Sequence, residues 1–247
     1  MRDRFGAKNP KALALRFHAQ TGGSTLTAQQ PENNVVRVAI QALSAVCGGA
    51  QSLHTNSFDE ALALPSARSA TIALRTQQIL AEETGVANTA DPLGGSYYVE
   101  ALTDELEARA LELIERIDDL GGAVAAIEAG FIQGEIEASA YEWTRAVETG
   151  KRRIVGMNAF DEEGGERIEL HRLDPESEQR QIERTRAIRA SRDGGAVRHA
   201  LAAVEREARG TRNMLPTLRE ALCASCTVGE ICTVLRHEWG LYDSGRR

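Results

Sequence analysis

The sequence is poor in aromatic residues, in cysteine and in positive charge. Aromatic side chains make up 4% of its 247 residues, and the formal net charge is −7. Few aromatics argue against a platform for base stacking, and the negative charge argues against a surface for nucleic acid or anionic membrane. Four cysteines in a chain of this length do not indicate a disulfide framework.

Long apolar runs are also missing. No stretch reaches the roughly 20 residues that a membrane span needs, and the segment from Met1 to Phe5 lacks the apolar core of a secretion signal. We therefore expect a soluble, cytoplasmic protein. The hydrophobic content of 42% over 247 residues suffices for one sizeable domain, or one and a part.

The stretch from Arg16 to Gln30 begins as a strand and ends as a loop of glycines and hydroxyls. Its first residues alternate, so Arg16, His18 and Gln20 share one strand face. Three hydrogen-bonding groups on one face are more typical of a ligand site than of a core. The loop glycines, Gly23 among them, let the backbone come close to whatever lies at the end of the strand.

Residues 13–85 repeat the order strand, loop, helix. Strands are predicted at about 13–20 and within 50–60, and helices at about 34–46 and 66–84. This rhythm predicts βα units of a parallel sheet, in which function sits at the carboxyl ends of the strands. Two units cannot close a barrel and leave bare edges, and the first helix, apolar on nearly every side, needs neighbours. We expect another polypeptide, or a longer chain, to supply the missing strands.

The rest of the chain is predicted to be mainly helical, with a turn at Gly164–Gly165 and short strands at 151–156 and 168–173. A break is expected at Gly194–Gly195. The predicted helices lie at about 101–118, 122–130, 133–149, 175–192 and 196–209, with a single last helix at about 214–238.

Cys223, Cys226 and Cys232, together with His237, have a spacing that could hold a metal ion. The segment is predicted as one helix without turn residues between Cys223 and Cys226. We therefore interpret the three cysteines as packing residues, and metal binding stays open as the alternative.

Three stretches carry a resemblance to a known family: Arg16–Asn34, Gly48–Pro65 and Asp91–Glu100. They closely resemble the large subunit of methylmalonyl-CoA mutase and its acyl-CoA mutase relatives. The resemblance implies an α/β fold, with the C-terminal part of a TIM (β/α)8 barrel over residues 1–95 and a mainly helical post-barrel region over 96–247. The family uses adenosylcobalamin and rearranges acyl-CoA carbon skeletons by radical chemistry.

The resemblance also implies roles for particular residues by their position in these motifs. The residues implied to face cobalamin or its adenosyl group are Gln20, Gly23, Glu60 and Ala63. The residues implied to line the acyl-CoA side of the cavity are His18, Gln51 and Ser52. Glu60 could also serve to cap a helix. No His–Asp partnership for Ser52 is visible in the sequence, so a hydrolase triad is not expected.

The implied function is part of an adenosylcobalamin-dependent isomerase, with (R)-methylmalonyl-CoA to succinyl-CoA as the first expectation. Isobutyryl-, ethylmalonyl- and 2-hydroxyisobutyryl-CoA are alternative substrates, and a non-catalytic piece that docks on an intact mutase is an alternative role. The family's catalytic tyrosine, carboxylate-binding arginine, thioester-side histidine and Asp-x-His-x-x-Gly cobalt motif have no counterpart in this sequence. We therefore expect no activity without an N-terminal barrel half and a cobalamin-binding subunit or domain, in a hetero- or homo-oligomer.

Overall fold

The computed structural model describes residues 1–162, 168–172 and 174–241. The chain forms two compact units, of which the first ends at His171 and the second begins at Arg172. The boundary between residues 95 and 96 that the resemblance implies concerns the end of a barrel, and it stays a prediction. Within the described ranges, no helix is both long and apolar enough to cross a membrane.

The first unit contains a two-stranded parallel sheet. Strand β1 spans His18–Gln20 and strand β2 spans Ser52–His54, with His18 opposite Ser52 in the register. Both strands run in the same direction, so their carboxyl ends meet at one edge of the sheet. Parallel pairing is what the strand–helix rhythm of the sequence predicts.

Strand β1 is shorter than the predicted stretch 13–20, and β2 lies within the strand and loop unit predicted at 50–60. Among the described residues, the two strands pair only with each other. Their hydrogen-bonded length is therefore limited to the residues where both chains are extended side by side. Residues 14–17 of the first stretch are neither helix nor strand, and Leu13 is the last residue of a helical turn at Pro10–Leu13. The turn forms there because Asn9 accepts a hydrogen bond from a main-chain N–H of the turn and proline suits the first helical position.

The helices of the first unit alternate with the strands and then follow them. Single 3₁₀ turns lie at Gly23–Thr25 and Val86–Asn88. The order β1, helix, β2, helix confirms the predicted rhythm, and the three helices predicted between residues 101 and 149 are confirmed with shifted ends. In chain order the α-helices are α1 (Arg2–Phe5), α2 (Pro10–Leu13), α3 (Asn33–Cys47), α4 (Ala67–Glu83), α5 (Tyr97–Asp119), α6 (Ala123–Glu128) and α7 (Phe131–Glu148).

Helix α3 is buried along one face only. Asn34, Val38 and Ala42 are buried, whereas Val36 is 60% and Ile40 62% exposed. The prediction that this helix is surrounded on nearly every side is therefore not met within the described residues, because mainly α4 and β2 pack against it. Buried apolar side chains of this part of the unit include Leu26, Val38, Phe58, Ala73 and Leu80.

The segment after α7 is a closed turn, and the strand predicted at 151–156 is wrong. Asn158 Oδ1 accepts a hydrogen bond from Ile154 N at 2.6 Å, and its Nδ2 donates to two main-chain carbonyls at 2.8 Å. These bonds turn the chain back on itself. The strand-like pairing that remains here among the described residues is an isolated β-bridge between Val155 and Ala159. The second short strand is absent over residues 168–172. The predicted turn at Gly164–Gly165 lies outside the described residues.

The second unit is helical. Its helices are α8 (Pro175–Ser191), α9 (Gly194–Ala208), α10 (Leu215–Cys223) and α11 (Val228–Trp239). Helix α9 packs against both α10 and α11. The apolar core between these three helices consists of Val197, Val204, Ala221, Cys226 and Ile231.

The single helix predicted at 214–238 is wrong, because a turn separates α10 from α11. Ser225 lies in this turn with φ of 64°. Thr227 then starts α11 with a capping box: Thr227 Oγ1 accepts from Glu230 N at 3.3 Å, and Glu230 Oε2 accepts from Thr227 N at 2.9 Å. The Thr-x-x-Glu spacing is the sequence signal for this boundary, and the continuous apolar periodicity concealed it.

The break between α8 and α9 also lies earlier than expected. The pair Gly194–Gly195 was predicted to interrupt the chain, but both glycines belong to the first turn of α9. Asp193 is the N-cap of α9, because its Oδ1 accepts hydrogen bonds from Gly195 N at 2.7 Å and from Ala196 N at 3.1 Å. These hydrogen bonds lower the pKa of Asp193, as expected for an aspartate that caps a helix.

Candidate functional site

Polar side chains occupy one face of the two-stranded sheet. His18 and Ser52 face each other across the strands, and His18 Nδ1 lies 2.7 Å from Ser52 Oγ. Both side chains are exposed, as are Gln20 and His54 one register step further along. The sequence prediction of a polar strand face is confirmed for His18 and Gln20, whereas Arg16 lies before β1 and is not part of the strand. No carboxylate bonds to His18 within the described residues, so the pair lacks the third member of a hydrolase triad.

The loops that leave the two strands are joined by Asn56, which is only 1% exposed. Its N–H donates to Thr21 Oγ1 at 2.9 Å, and its Nδ2 donates to Thr21 O at 2.9 Å. Its Oδ1 accepts a hydrogen bond from Gln20 Nε2, also at 2.9 Å. Asn56 therefore fixes the end of β1 and orients the side chain of Gln20.

Gly23 and Glu60 come together at the carboxyl edge of the sheet. A Cβ atom on Gly23 would lie 2.6 Å from Glu60 Oε1 and 3.1 Å from Asn56 Nδ2. Only a residue without a side chain allows this close approach. Glu60 is exposed and its carboxylate forms no hydrogen bond or ion pair within the described residues. The carboxylate is therefore available to a ligand.

Asp59 anchors the turn that presents Glu60. It is fully buried, and its Oδ2 accepts from Ser66 N at 3.1 Å. Burial raises the pKa of Asp59, but the hydroxyls of Ser69 and Ser57 and the N–H of Ser66 together outweigh it and lower the pKa. Asp59 Oδ1 forms no hydrogen bond of normal geometry within the described residues, and the two hydroxyls act on the carboxylate as nearby dipoles.

Ala63 belongs to the same turn as Glu60. Its N–H donates to Asp59 O at 3.0 Å, and its side chain is half-buried. Three of the four residues implied to face the cofactor therefore lie on the two adjoining loops, and Gln20 lies at the end of β1. Their individual contacts with a ligand remain predictions.

Gln51 is separate from the pair formed by His18 and Ser52. Its Oε1 accepts from Phe17 N at 2.7 Å, and its Nε2 donates to Gly49 O at 2.6 Å. The amide thus holds main-chain groups where the two strands begin. Its implied role on the acyl-CoA side stays a prediction, and its observed bonds are structural.

The comparison with known protein families decides the relationship. A family model described as methylmalonyl-CoA mutase matches residues 1–241. The chain belongs to the methylmalonyl-CoA mutase family. The resemblance carried by the three sequence stretches is confirmed.

Individual members of the mutase family match nearly the whole chain. The 2-hydroxyisobutanoyl-CoA mutase large subunit of Aquincola tertiaricarbonis is 47% identical over 98% of this chain and 43% of its own length. The mitochondrial methylmalonyl-CoA mutase of Homo sapiens is 44% identical over 98% of this chain and 33% of its own. The methylmalonyl-CoA mutase of Escherichia coli (strain K12) is 44% identical over 96% of this chain and 34% of its own length. The chain thus spans less than half the length of these relatives.

Sequence reasoning missed the buried polar residues that organise this candidate site. Asn56 and Asn34 are 1% and 0% exposed, and both form hydrogen bonds to main-chain atoms of the loops. Asparagine is common in turns and at helix starts, so neither residue stands out by type. The available signal was their position, directly after a polar strand and at the start of an apolar helix.

The cysteines of the second unit divide into two kinds. Cys226 is 5% exposed, and its Sγ lies 3.8 Å from Val197 O. Burial raises the pKa of this thiol, which fits the predicted packing role. Cys223 and Cys232 are exposed, so the packing interpretation is wrong for them. The described residues contain no group of three or more His, Cys, Asp or Glu side chains placed to hold a metal ion.

Proposed function

We propose that this chain forms part of an adenosylcobalamin-dependent acyl-CoA mutase that converts (R)-methylmalonyl-CoA to succinyl-CoA. Family membership supports an isomerase of this kind. The observation that carries the proposal further is the close approach of Gly23 to Glu60 at the carboxyl edge of a parallel sheet. In barrels and open parallel sheets, this edge is where ligands bind.

The residues present fit a large cofactor with amide and hydroxyl groups. The missing side chain of Gly23 lets the Glu60 carboxylate lie against the loop backbone, and this carboxylate has no partner among the described residues. Gln20 is an exposed amide oriented by Asn56, and Ala63 presents a small side chain. When bound, adenosylcobalamin supplies the radical chemistry of the rearrangement. Gln20, Gly23, Glu60 and Ala63 would hold and orient it.

His18 and Ser52 supply the acyl-CoA side of the proposed site. Their side chains form a hydrogen-bonded pair on the exposed sheet face, next to the loops that carry the cofactor residues. An imidazole and a hydroxyl can donate to the carbonyl oxygens of an acyl thioester or its pantetheine chain. Gln51 contributes by holding the start of both strands.

The proposed enzyme requires further polypeptide. The chain covers 33% to 43% of the relatives described above, and the sheet of its first unit has only two strands. Val36 and Ile40 leave an apolar face of α3 exposed. We infer that an N-terminal barrel half and a cobalamin-binding subunit or domain complete a cytoplasmic hetero- or homo-oligomer. The residues of this chain would then form the C-terminal part of a TIM barrel and the helical region after it.

A second substrate is favoured by one comparison. The relative at 47% identity is named a 2-hydroxyisobutanoyl-CoA mutase large subunit, against 44% for two methylmalonyl-CoA mutases. The difference is small, so (R)-methylmalonyl-CoA, the substrate type named for two of these three relatives, stays the first candidate. 2-Hydroxyisobutyryl-CoA is therefore the second candidate, ahead of isobutyryl- and ethylmalonyl-CoA.

The test is reconstitution. The chain is co-purified with a complementary N-terminal barrel half and a cobalamin-binding subunit, and the complex is assayed with adenosylcobalamin and each of the four acyl-CoA substrates. We expect isomerisation by the complex and none by the chain alone. A stable complex that binds no adenosylcobalamin and turns over none of the substrates would contradict the proposal and favour a non-catalytic assembly role. Turnover by the chain alone would contradict the need for partners.

A further inference from the structure

Asn34 lies in the first turn of α3 and has no exposed surface. Its Nδ2 donates two hydrogen bonds, one to Thr27 O at 2.9 Å and one to Phe58 O at 2.8 Å. Thr27 belongs to the loop after β1, and Phe58 belongs to the loop after β2. A single buried amide therefore joins the two loops that carry the proposed cofactor site.

The acceptor side of the same amide is also fully used. Asn34 Oδ1 accepts from Thr27 N at 3.1 Å and from Arg37 Nη1 at 2.7 Å. Two donors and two acceptor positions are all that an asparagine amide has. Because every one is satisfied inside the protein, the orientation of the group is fixed, and loss of the donors would leave buried carbonyls without partners.

The segment that contains Gly23 is held at both ends. Thr21 at its start is bonded by Asn56, and Thr27 at its end is bonded by Asn34. Glu60 follows Phe58, the other residue that Asn34 holds, by two positions. The strands are only three residues long, so strand pairing alone does not fix the distance between the loops.

Arg37 lies about one helical turn after Asn34 in α3 and adds further hydrogen bonds to the surrounding loops. Its Nη1 also donates to Thr27 Oγ1 at 3.0 Å, and its Nη2 donates to Val155 O at 2.6 Å. The guanidinium thus supports both Asn34 and the loop after β1. Val155 belongs to the closed turn after α7, which places that turn against the same loop.

We propose that Asn34 is a positioning residue that holds Gly23 beside Glu60 and so shapes the cofactor-facing edge of the sheet. The identity of the ligand in this inference rests on the proposed function. The way in which Asn34 holds the loops rests on the observed hydrogen bonds alone. Asn34 itself is buried and touches no ligand. It acts through the two loops, and its loss should loosen both of them together.

The test compares Asn34→Asp with Asn33→Asp in the full chain. The first variant keeps the acceptor for Arg37 but cannot donate to Thr27 O or Phe58 O. The second adds the same charge one residue earlier, where the native amide donates to Gln30 Oε1 at 2.8 Å and to no other group among the described residues. Both charges lie at the start of α3, where they suit the helix dipole. Asn34→Ser, which keeps one donor, serves as a second variant if Asn34→Asp does not fold.

Hydrogen exchange is the first measurement. We expect Asn34→Asp to speed exchange about tenfold or more at residues 23–27 and 58–63 alike, because both loops lose a hydrogen bond to the same buried group. Asn33→Asp should change these rates less than about twofold. Unchanged rates in both loops, or a change confined to one loop, would overturn the proposal.

Ligand binding by the reconstituted complex is the second measurement. Asn34→Asp should raise the Kd for adenosylcobalamin about tenfold, and the KM for acyl-CoA should stay within about twofold, because His18 and Ser52 lie on the strands rather than the loops. Loosened loops with an unchanged Kd, or equal losses of both ligands, would overturn the positioning role. A wild-type complex that bound no adenosylcobalamin would overturn the proposed function, while the exchange data would still decide whether Asn34 holds the loops.

Discussion

A Cβ atom on Gly23 would lie 2.6 Å from Oε1 of Glu60, closer than real side chains approach. The two residues are 37 positions apart in the sequence and belong to different loops. They meet because the loops leave the same edge of a parallel sheet. The glycine is required for this contact by its lack of a side chain and not by an unusual backbone angle, since no positive φ is recorded there.

Substitution of Gly23 by alanine should weaken cofactor binding without unfolding the chain. The added methyl group must displace Glu60, which is exposed and can move, and it must shift Asn56 Nδ2, which would lie 3.1 Å away, by only a few tenths of an ångström, so the protein should remain folded. The displaced carboxylate would no longer hold its ligand-binding position, and we expect about a tenfold higher Kd for adenosylcobalamin in the reconstituted complex. Titration followed by absorbance measures this change.

Gly22→Ala is the matched control for that experiment. A Cβ at Gly22 would meet its nearest neighbour, Thr25, at an ordinary 3.5 Å. Its affinity for adenosylcobalamin should therefore stay close to that of the wild type. Equal effects of the two alanines would show that any change in this loop weakens binding, and that the contact with Glu60 has no special role.

Local pattern in the sequence predicts the strand face of Gln20 and the glycine loop that contains Gly23. Glu60 was indicated only by the family resemblance, as was the cofactor-facing role of all three residues. Their mutual contact could not be predicted from local pattern, since it depends on the register of β1 and β2. Asn34 and Asn56 were missed for a related reason. Their importance comes from bonds to distant main-chain atoms, which leave no periodic signal.

The helical boundaries show the same limit in the second unit. Apolar periodicity continues from α10 into α11, and it predicted one helix. The capping box of Thr227 and Glu230 instead starts a new helix, α11. Arg192 stabilises the turn before it by donating a hydrogen bond to Ser225 O at 2.9 Å. The box was readable in the sequence, but Arg192 lies 33 residues before Ser225, and its contribution was not readable. Local caps and distant partners together decide where these helices stop.

Removal of the imidazole of His18 should weaken acyl-CoA binding by the reconstituted enzyme. The ring is paired with Ser52 at 2.7 Å on the exposed sheet face. Loss of one hydrogen bond to a ligand typically costs about 1 kcal/mol, so His18→Ala should raise the KM for acyl-CoA about fivefold. His54→Ala is the control, because His54 lies on the same face but forms no side-chain hydrogen bond among the described residues. Comparable KM changes in both variants would contradict a specific role for the pair.

The ion pair between Arg192 and Glu230 should make the second unit sensitive to acid. Two hydrogen bonds of 2.6 and 2.5 Å join the guanidinium to the carboxylate, whose side chain is 22% exposed. They lower the pKa of Glu230 from 4.5 to about 2. A carboxylate with a lowered pKa stabilises the fold above its ordinary pKa, and this stabilisation is lost as the pH falls from about 4.5 towards 2.

Glu230→Gln tests this dependence. The variant should be less stable by about 1–2 kcal/mol at pH 7, and the difference from wild type should shrink between pH 4.5 and pH 2. Urea unfolding can be followed by Trp239, whose Nε1 donates to Ala208 O within the second unit, in a Trp143→Phe background. Glu178→Gln, on the solvated surface of α8, should leave the curves unchanged. A stability difference that stayed constant over this pH range would contradict the role of the carboxylate charge.

Ser225 occupies a backbone conformation that favours glycine, and its replacement should stabilise the second unit. Its φ is 64°, in the left-handed region where a side chain costs about 1 kcal/mol. The bond from Arg192 goes to its main-chain oxygen and survives substitution. We therefore expect Ser225→Gly to raise the free energy of unfolding by about 0.5 kcal/mol, after the greater entropy of glycine in the unfolded chain is subtracted. Ala224→Gly, at a φ of −76°, should instead lower stability by a similar amount, and stabilisation by both glycines would show that the turn is relieved by flexibility rather than by its left-handed residue.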